Sequence, residues 1–162
     1  MNEDVVFFWD GPFSQWYSSN FIYRGIKFCT AEQFMMYHKA MIMGDKETAQ
    51  LILNSPHPKV QKDLGRAVEN FDPILWDKVK QDIVYMGNLL KFTQNKGLNQ
   101  LLFNTGDKLI VEASPFDNIW GIGLGEATAK KIDRSEWPGQ NLLGIAIMEV
   151  RKDIQSVIVL TH

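Results

Sequence analysis

Cysteine, excess basic charge and long apolar runs are all scarce in this sequence of 162 residues, and each scarcity excludes a class of protein. Cys29 is the only cysteine, so neither an intrachain disulfide nor a thiolate zinc cluster is expected. The three histidines have no metal-binding spacing, so we expect no metal site. The charges, 17 Lys plus Arg against 19 Asp plus Glu, argue against nucleic-acid binding through bulk positive charge alone.

Membrane and secretory signals are also missing from the sequence. No apolar run approaches the ~20 residues of a membrane span, so no membrane association is expected. The start, Met1-Asn2-Glu3-Asp4, lacks the basic and then apolar layout of a signal peptide. These features predict a cytoplasmic location.

The residues that are present favour a compact fold. Hydrophobic residues make up 45% of the chain and aromatic residues 12%, which is enough to form a core. No repeat or linker interrupts residues 1–162, so we expect a single domain. Local patterns predict a helix-rich α+β fold with a few short β-strands.

Capping and turn signals place most of these elements. Thr30 followed by Gln33 has the form of a capping box, and Asp72-Pro73 begins the longest apolar stripe, which we expect to end at Gly97. The predicted helices are 31–43, 45–53, 58–70, 73–97, 98–103 and 140–153. Strand is predicted for 5–9, for 21–28 with a turn signal at Arg24-Gly25, for 108–112 and for 157–160.

Glu32 and Lys39 lie on the first predicted helix, seven residues apart. Seven steps of ~100° return to nearly the same face, with a rise of roughly 10 Å between the two residues. A carboxylate and an amine therefore face the same space, with Met35 and Met36 as an apolar floor between them. Alternatively, this is a solvated helix face, or Glu32 stabilises the first turn through the helix dipole.

Residues 113–139 predict a long loop, which in a compact domain is more often functional than a plain connector. Its stretch from Trp120 to Gly125 has three glycines, but they do not follow the G-x-G-x-x-G dinucleotide fingerprint. Exposed amides beside an indole would suit a phosphate and a stacked heterocycle. Alternatively, Trp120 anchors the core and the glycines only form turns.

Ordered blocks of residues run through nearly the whole chain, and together they resemble a known family. The blocks are Phe7-Phe8-Trp9, Pro12 to Trp16, Thr30 to Ala40, Leu64-Gly65-Arg66, Trp76 to Phe92, Lys108 to Glu112, Asp117 to Gly123 and Asn141 to Arg151. Over about residues 7–151 their order and spacing are similar to those of NADAR domains, the YbiA-like group. Ile122 and Leu124 stand where bacterial members carry more polar residues, a difference that bears on the choice of substrate.

The resemblance implies a helix-rich α+β domain with N-glycosidase activity and no cofactor. Family members cleave N-glycosidic bonds in ribosylaminopyrimidine phosphates of the riboflavin pathway, or remove ADP-ribose from guanine in DNA or RNA. By this resemblance the catalytic candidates are Glu32, Lys39 and Asp117. The substrate-binding candidates are Trp120, Gly121, Gly123, Arg66, Lys91 and Trp16.

Several of these interpretations have alternatives. A helix-surface ion pair explains Arg66 and Lys91 as well as a phosphate contact does. The whole chain is either an N-glycosidase, a non-catalytic module that binds ADP-ribose or a related nucleotide, or an interaction domain in which Glu32 and Lys39 are structural. The paired Glu32 and Lys39, together with the Asp117 to Gly123 segment, favour the first class.

Overall fold

Among the residues that the structure describes, helices dominate the architecture, and four short strands accompany them. The computed structural model describes residues 4–161. Its elements are β1 (Val5–Phe8), β2 (Phe21–Tyr23), β3 (Ile26–Phe28), α1 (Ala31–Ile42), α2 (Lys46–Leu53), α3 (Pro58–Arg66), α4 (Pro73–Gln94), α5 (Lys96–Phe103), β4 (Leu109–Glu112), α6 (Glu126–Ala129) and α7 (Leu142–Thr161). A short 3-10 helix covers Arg134–Glu136. This content confirms the predicted helix-rich α+β class.

Residues 15–96 form one of two compact units. It contains the antiparallel β2–β3 hairpin and helices α1 to α4, with α1 packed against each of the other three helices. Its aromatic core joins Phe21, Phe28 and Phe34, whose rings lie 5.1–5.8 Å apart. Gly87 allows the close approach of α4, because a Cβ atom there would lie 2.8 Å from the Phe34 ring.

The second unit comprises, among the described residues, 4–14 and 97–161. Strands β1 and β4 pair in parallel, with Val6 opposite Ile110. Helix α7 packs against β4, and Gly144 makes this approach possible because a Cβ there would overlap the Ile110 carbonyl. The core of this unit includes Val111, Ile122 and Ala129.

Local signals predicted most element starts correctly. Thr30 caps α1 by accepting the Gln33 N–H at 3.0 Å, and Asp72 caps α4 by accepting two N–H groups. In the hairpin, Arg24 and Gly25 both have positive φ angles, 49° and 81°, as a two-residue type I′ turn requires.

The helix ends predicted at Asn70 and Gly97 and the strand predicted at 157–160 are wrong. Helix α3 ends at Arg66 rather than Asn70, because the following chain turns to donate the Glu69 N–H to Asp45 at 2.9 Å. Helix α4 ends at Gln94, since Asn95 is extended, and Gly97 lies inside α5. Residues 157–160 belong to α7 and not to a last strand. Within residues 4–161, no helix has the length and apolar character needed to cross a bilayer.

Candidate active site

Glu32 lies in the first turn of α1 and is almost fully buried, with 8% of its surface exposed. Its backbone N–H donates to the carbonyl of Gln15 at 3.0 Å, so the preceding loop holds this end of the helix. A carboxylate here has a favourable interaction with the positive end of the helix dipole. Its burial rules out the solvated helix face as an explanation for Glu32.

Lys39 lies two turns further along α1, half-buried against aromatic rings. Its Nζ is 4.7 Å from the centre of the Phe71 ring and 5.8 Å from that of Trp76. Burial lowers the pKa of Lys39, and the positive charge of Arg66 lowers it further, whereas the Glu32 carboxylate acts in the opposite direction. The side chain therefore gives up its proton more readily than an exposed lysine does.

Arg66 reaches the same region because α3 packs tightly on α1. Gly65 lies against the Met36 side chain so closely that a Cβ atom would overlap the sulfur. Arg66, at the last turn of α3, is exposed, and its charge acts on Lys39. The 15–96 unit thus brings Glu32, Lys39 and Arg66 together.

Phe71 and Trp76 contact Lys39 and are further candidate site residues, which sequence reasoning missed. Trp76 is buried, with 8% exposed, whereas 43% of Phe71 is exposed. Both flank the Asp72-Pro73 helix start, and Trp76 lies in one of the blocks that carry the family resemblance. Two aromatic residues beside a helix start are a weak signal, because only the fold places them against a lysine more than thirty residues away.

Lys91 is fully buried in α4, with 0% of its surface exposed, so a helix-surface ion pair does not explain it. Its Nζ lies 5.2 Å from the centre of the Phe92 ring and 5.8 Å from that of Tyr17. Burial lowers the pKa of Lys91 to about 7. Trp16, by contrast, is 41% exposed, and its ring centre lies 5.8 Å from the Nζ of Lys62.

The remaining candidates lie in one loop of the other unit. One carboxylate oxygen of Asp117 accepts the N–H groups of Ile119 and Trp120, at 2.9 and 2.8 Å. Asp117 thus shapes the turn that presents the half-buried Trp120. Its second carboxylate oxygen has no part in these two hydrogen bonds.

The glycines that follow have a structural reason to be glycine. A Cβ at the buried Gly121 would lie 2.9 Å from the Glu112 carbonyl oxygen, and Gly123 has a φ of +77°. The Gly121 carbonyl accepts the Asn141 N–H at 3.0 Å, so the loop is fixed to the chain before α7. Ile122 is 1% exposed, and its apolar side chain packs in the core of this unit.

Residues 4–161 contain no group of three or more His, Cys, Asp or Glu side chains arranged as metal ligands. In the 15–96 unit, the groups near Lys39 are a buried carboxylate, its own amine with a lowered pKa and a guanidinium.

The family model described as the NADAR domain matches residues 7–155. The chain belongs to the NADAR family. It is 48% identical over 148 residues to N-glycosidase R617 of Acanthamoeba polyphaga mimivirus, covering 88% of this chain and 87% of that protein. It is 33% identical over 150 residues to N-glycosidase Npun_R5314 of Nostoc punctiforme, covering 88% of each.

The fold of this NADAR protein is also that of a solved structure. The NMR structure of the E. coli protein YbiA superposes with a TM-score of 0.81 at 24% identity, covering 100% of this chain and 90% of that one. The family resemblance found in the sequence is thus confirmed by the family model, and the predicted fold is confirmed by the YbiA structure. The roles of the individual NADAR site residues remain predictions.

Proposed function

We propose that this NADAR protein breaks the C–N bond of a ribosyl N-glycoside with Glu32 and Lys39. It is an enzyme of the class that hydrolyses N-glycosyl compounds, as the curated relatives named N-glycosidase are. The observation that carries the residue assignment is the placement of Lys39 against Phe71 and Trp76, within the electrostatic reach of Glu32.

Glu32 suits the demands of the bond that breaks. When a ribosyl C–N bond opens, positive charge develops at the anomeric carbon, and a nearby carboxylate stabilises that charge or transfers a proton. A carboxylate that is 8% exposed interacts with such a charge in a low dielectric, where the attraction is stronger than in water. The fixed position of the helix end means that little reorganisation is needed during the reaction.

Lys39 is the proposed nucleophile. Its neutral amine would attack the anomeric carbon, the electrons of the C–N bond would leave with the base, and the base would take up a proton. The amine then loses a proton, and ring opening of the sugar gives an imine that water hydrolyses, which restores the amine. The lowered pKa of Lys39 supports this role, because it increases the neutral fraction at a given pH.

Other residues are proposed to bind the substrate. The exposed Arg66 beside Lys39 suits a phosphate, and it is a better candidate than the fully buried Lys91. For Trp120 we propose stacking on the base, and we keep Trp16, Gly121 and Gly123 as the substrate-binding candidates that the family resemblance implies. Asp117 is proposed to assist catalysis through the carboxylate oxygen that does not cap the turn.

The deciding experiment offers the purified protein two substrates, an ADP-ribosylated guanine oligonucleotide and a ribosylaminopyrimidine phosphate. Released ADP-ribose or ribose phosphate is measured by mass spectrometry, with Glu32→Gln as the inactive reference. We expect release from one of the two. Binding of ADP-ribose without release from either substrate would instead support the non-catalytic module.

A further inference from the structure

Two amide side chains form a buried pair next to the backbone of Glu32. Asn88, on α4, is 0% exposed, and its Nδ2 donates to the Gln15 Oε1 at 2.9 Å and to the Val84 carbonyl at 2.8 Å. The carbonyl of the same Gln15 accepts the N–H of Glu32. The pair is thus held beside the end of α1 that bears the candidate catalytic carboxylate.

The orientation of both amides is determined by their partners. The Val84 carbonyl can only accept, so the atom of Asn88 that faces it must be the amide nitrogen. That nitrogen also faces Gln15, so the Gln15 atom in contact must be the carbonyl oxygen. Rotating the Asn88 amide by 180° would place its oxygen against two other oxygens, and rotating the Gln15 amide would place two nitrogens against each other.

In this arrangement one acceptor and one donor of the pair have no hydrogen-bond partner among residues 4–161. They are the Asn88 Oδ1 and the Gln15 Nε2, and both are buried. Buried polar atoms are nearly always paired in native proteins, and an unpaired one destabilises the fold. A pair of this kind that lies beside a candidate active site points to a bound group.

The chemistry of the two atoms selects that group. A hydroxyl both donates and accepts, so it offers the donor that the Asn88 oxygen needs and the acceptor that the Gln15 nitrogen needs. A phosphate only accepts and an ammonium only donates, so either would leave one atom unpaired. Two neutral amides also offer no charge to hold an anion.

We propose that Gln15 and Asn88 bind a hydroxyl of the substrate's ribose and so select ribosides over deoxyribosides. This inference rests on the proposed N-glycosidase function. A site that hydrogen-bonds a substrate hydroxyl discriminates strongly against the analogue without it, because its own polar groups are then left unpaired. The pair would act as a specificity determinant, while the bond is broken by other residues.

The test compares substrates and variants together. Whichever N-riboside the wild type cleaves is compared with its 2′-deoxy and 3′-deoxy analogues. Gln15→Met and Asn88→Leu each remove one member of the pair at similar size. Gln50→Met replaces an exposed amide on α2 and is the control.

We expect the wild type and Gln50→Met to prefer the riboside over one deoxy analogue by about 10–100-fold in kcat/KM. The two pair variants should lose that preference, mainly through slower cleavage of the riboside. A wild type indifferent to both hydroxyls, or folded variants that keep the preference, would overturn the proposal and leave a pair that binds an ordered water only. If one of the two pair variants fails to fold, the other variant and the comparison of deoxy substrates still test the proposal. If the wild type cleaves no N-glycoside at all, the proposed function itself fails, and this inference with it.

Discussion

Gly65 of α3 lies directly against the side chain of Met36 on α1. A Cβ atom added to Gly65 would overlap the Met36 sulfur and lie 3.2 Å from the Met36 Cβ. This close approach sets the distance between the two helices, and it brings Arg66 within electrostatic reach of Lys39. The absence of one side chain at Gly65 therefore shapes the candidate site.

Gly65→Ala should destabilise the protein. Overpacking a tight contact typically costs about 1–3 kcal/mol, and the nearby Met36 Cβ cannot move aside as freely as the sulfur can. The free energy of unfolding in urea measures this. Gly97→Ala is the control, because a Cβ there meets nothing within 4 Å and alanine favours a helix. Equal stability changes in the two variants would contradict the close contact.

Glu32→Gln should fold normally and lose about 10²–10⁴-fold in turnover, the usual effect of removing one acid–base group. Glu47→Gln offers a matched control, since Glu47 is also in the first turn of a helix, α2, but is exposed. Steady-state rates of both variants, with circular dichroism as a check on folding, provide the comparison. If Glu32→Gln has the turnover of the wild type, the Glu32 carboxylate stabilises the first turn of α1 and takes no part in the reaction.

Borohydride added during turnover should trap a sugar adduct on Lys39, visible by intact-protein mass and peptide mapping. Lys39→Arg should be inactive and give no adduct, because the guanidinium keeps its charge and is a poor nucleophile. Lys78→Arg, at an exposed position of α4, should behave like the wild type.

Since only the neutral amine attacks, kcat/KM should fall as the pH drops below the lowered pKa of Lys39. Wild-type turnover in Lys39→Arg would end the covalent mechanism.

Lys91 should make stability depend on pH in a defined window. Its pKa is about 7 when folded, against 10.5 ordinarily, so between these values the unfolded chain binds one more proton. The contribution of Lys91 to the free energy of unfolding therefore rises with pH across that window, by up to ~1.4 kcal/mol per pH unit, and is constant below and above it.

Lys91→Met should remove this slope, whereas Lys78→Met should keep it. Urea unfolding at pH 6.5, 8 and 9.5 separates the two, because the other titrating groups contribute equally to both proteins. The free energy of unfolding of Lys91→Met, relative to that of the wild type, should be highest at the lowest pH. Parallel curves for Lys91→Met and the wild type would show that the buried amine keeps its ordinary pKa.

The sequence by itself determined the elements whose causes lie within a few residues. Thr30, Asp45 and Asp72 each cap a helix by accepting an N–H two or three residues ahead, and the Arg24-Gly25 turn closes the hairpin. The sequence also determined the family, because the order and spacing of the residue blocks between about residues 7 and 151 can be read along the chain without the structure.

The wrong boundaries came from longer-range contacts or from ambiguous patterns. The Asn95 side chain bonds the carbonyls of Asn20 and Lys91, at 3.0 and 2.9 Å, where the chain leaves α4 before Gly97. The apolar run 157–160 could not be told from a helical segment by pattern alone.

Only the tertiary structure decided the surroundings of the candidate site. Phe71 and Trp76 meet Lys39, and Gln15 meets Asn88 across 73 residues of sequence, through packing of α1 against α4 and of the loop before α1. Spacing within one helix placed Glu32 and Lys39 on a shared face, but it could not say whether that face was solvated. Burial depends on which other helices cover a surface, and that burial lowers the pKa of Lys39 and of Lys91.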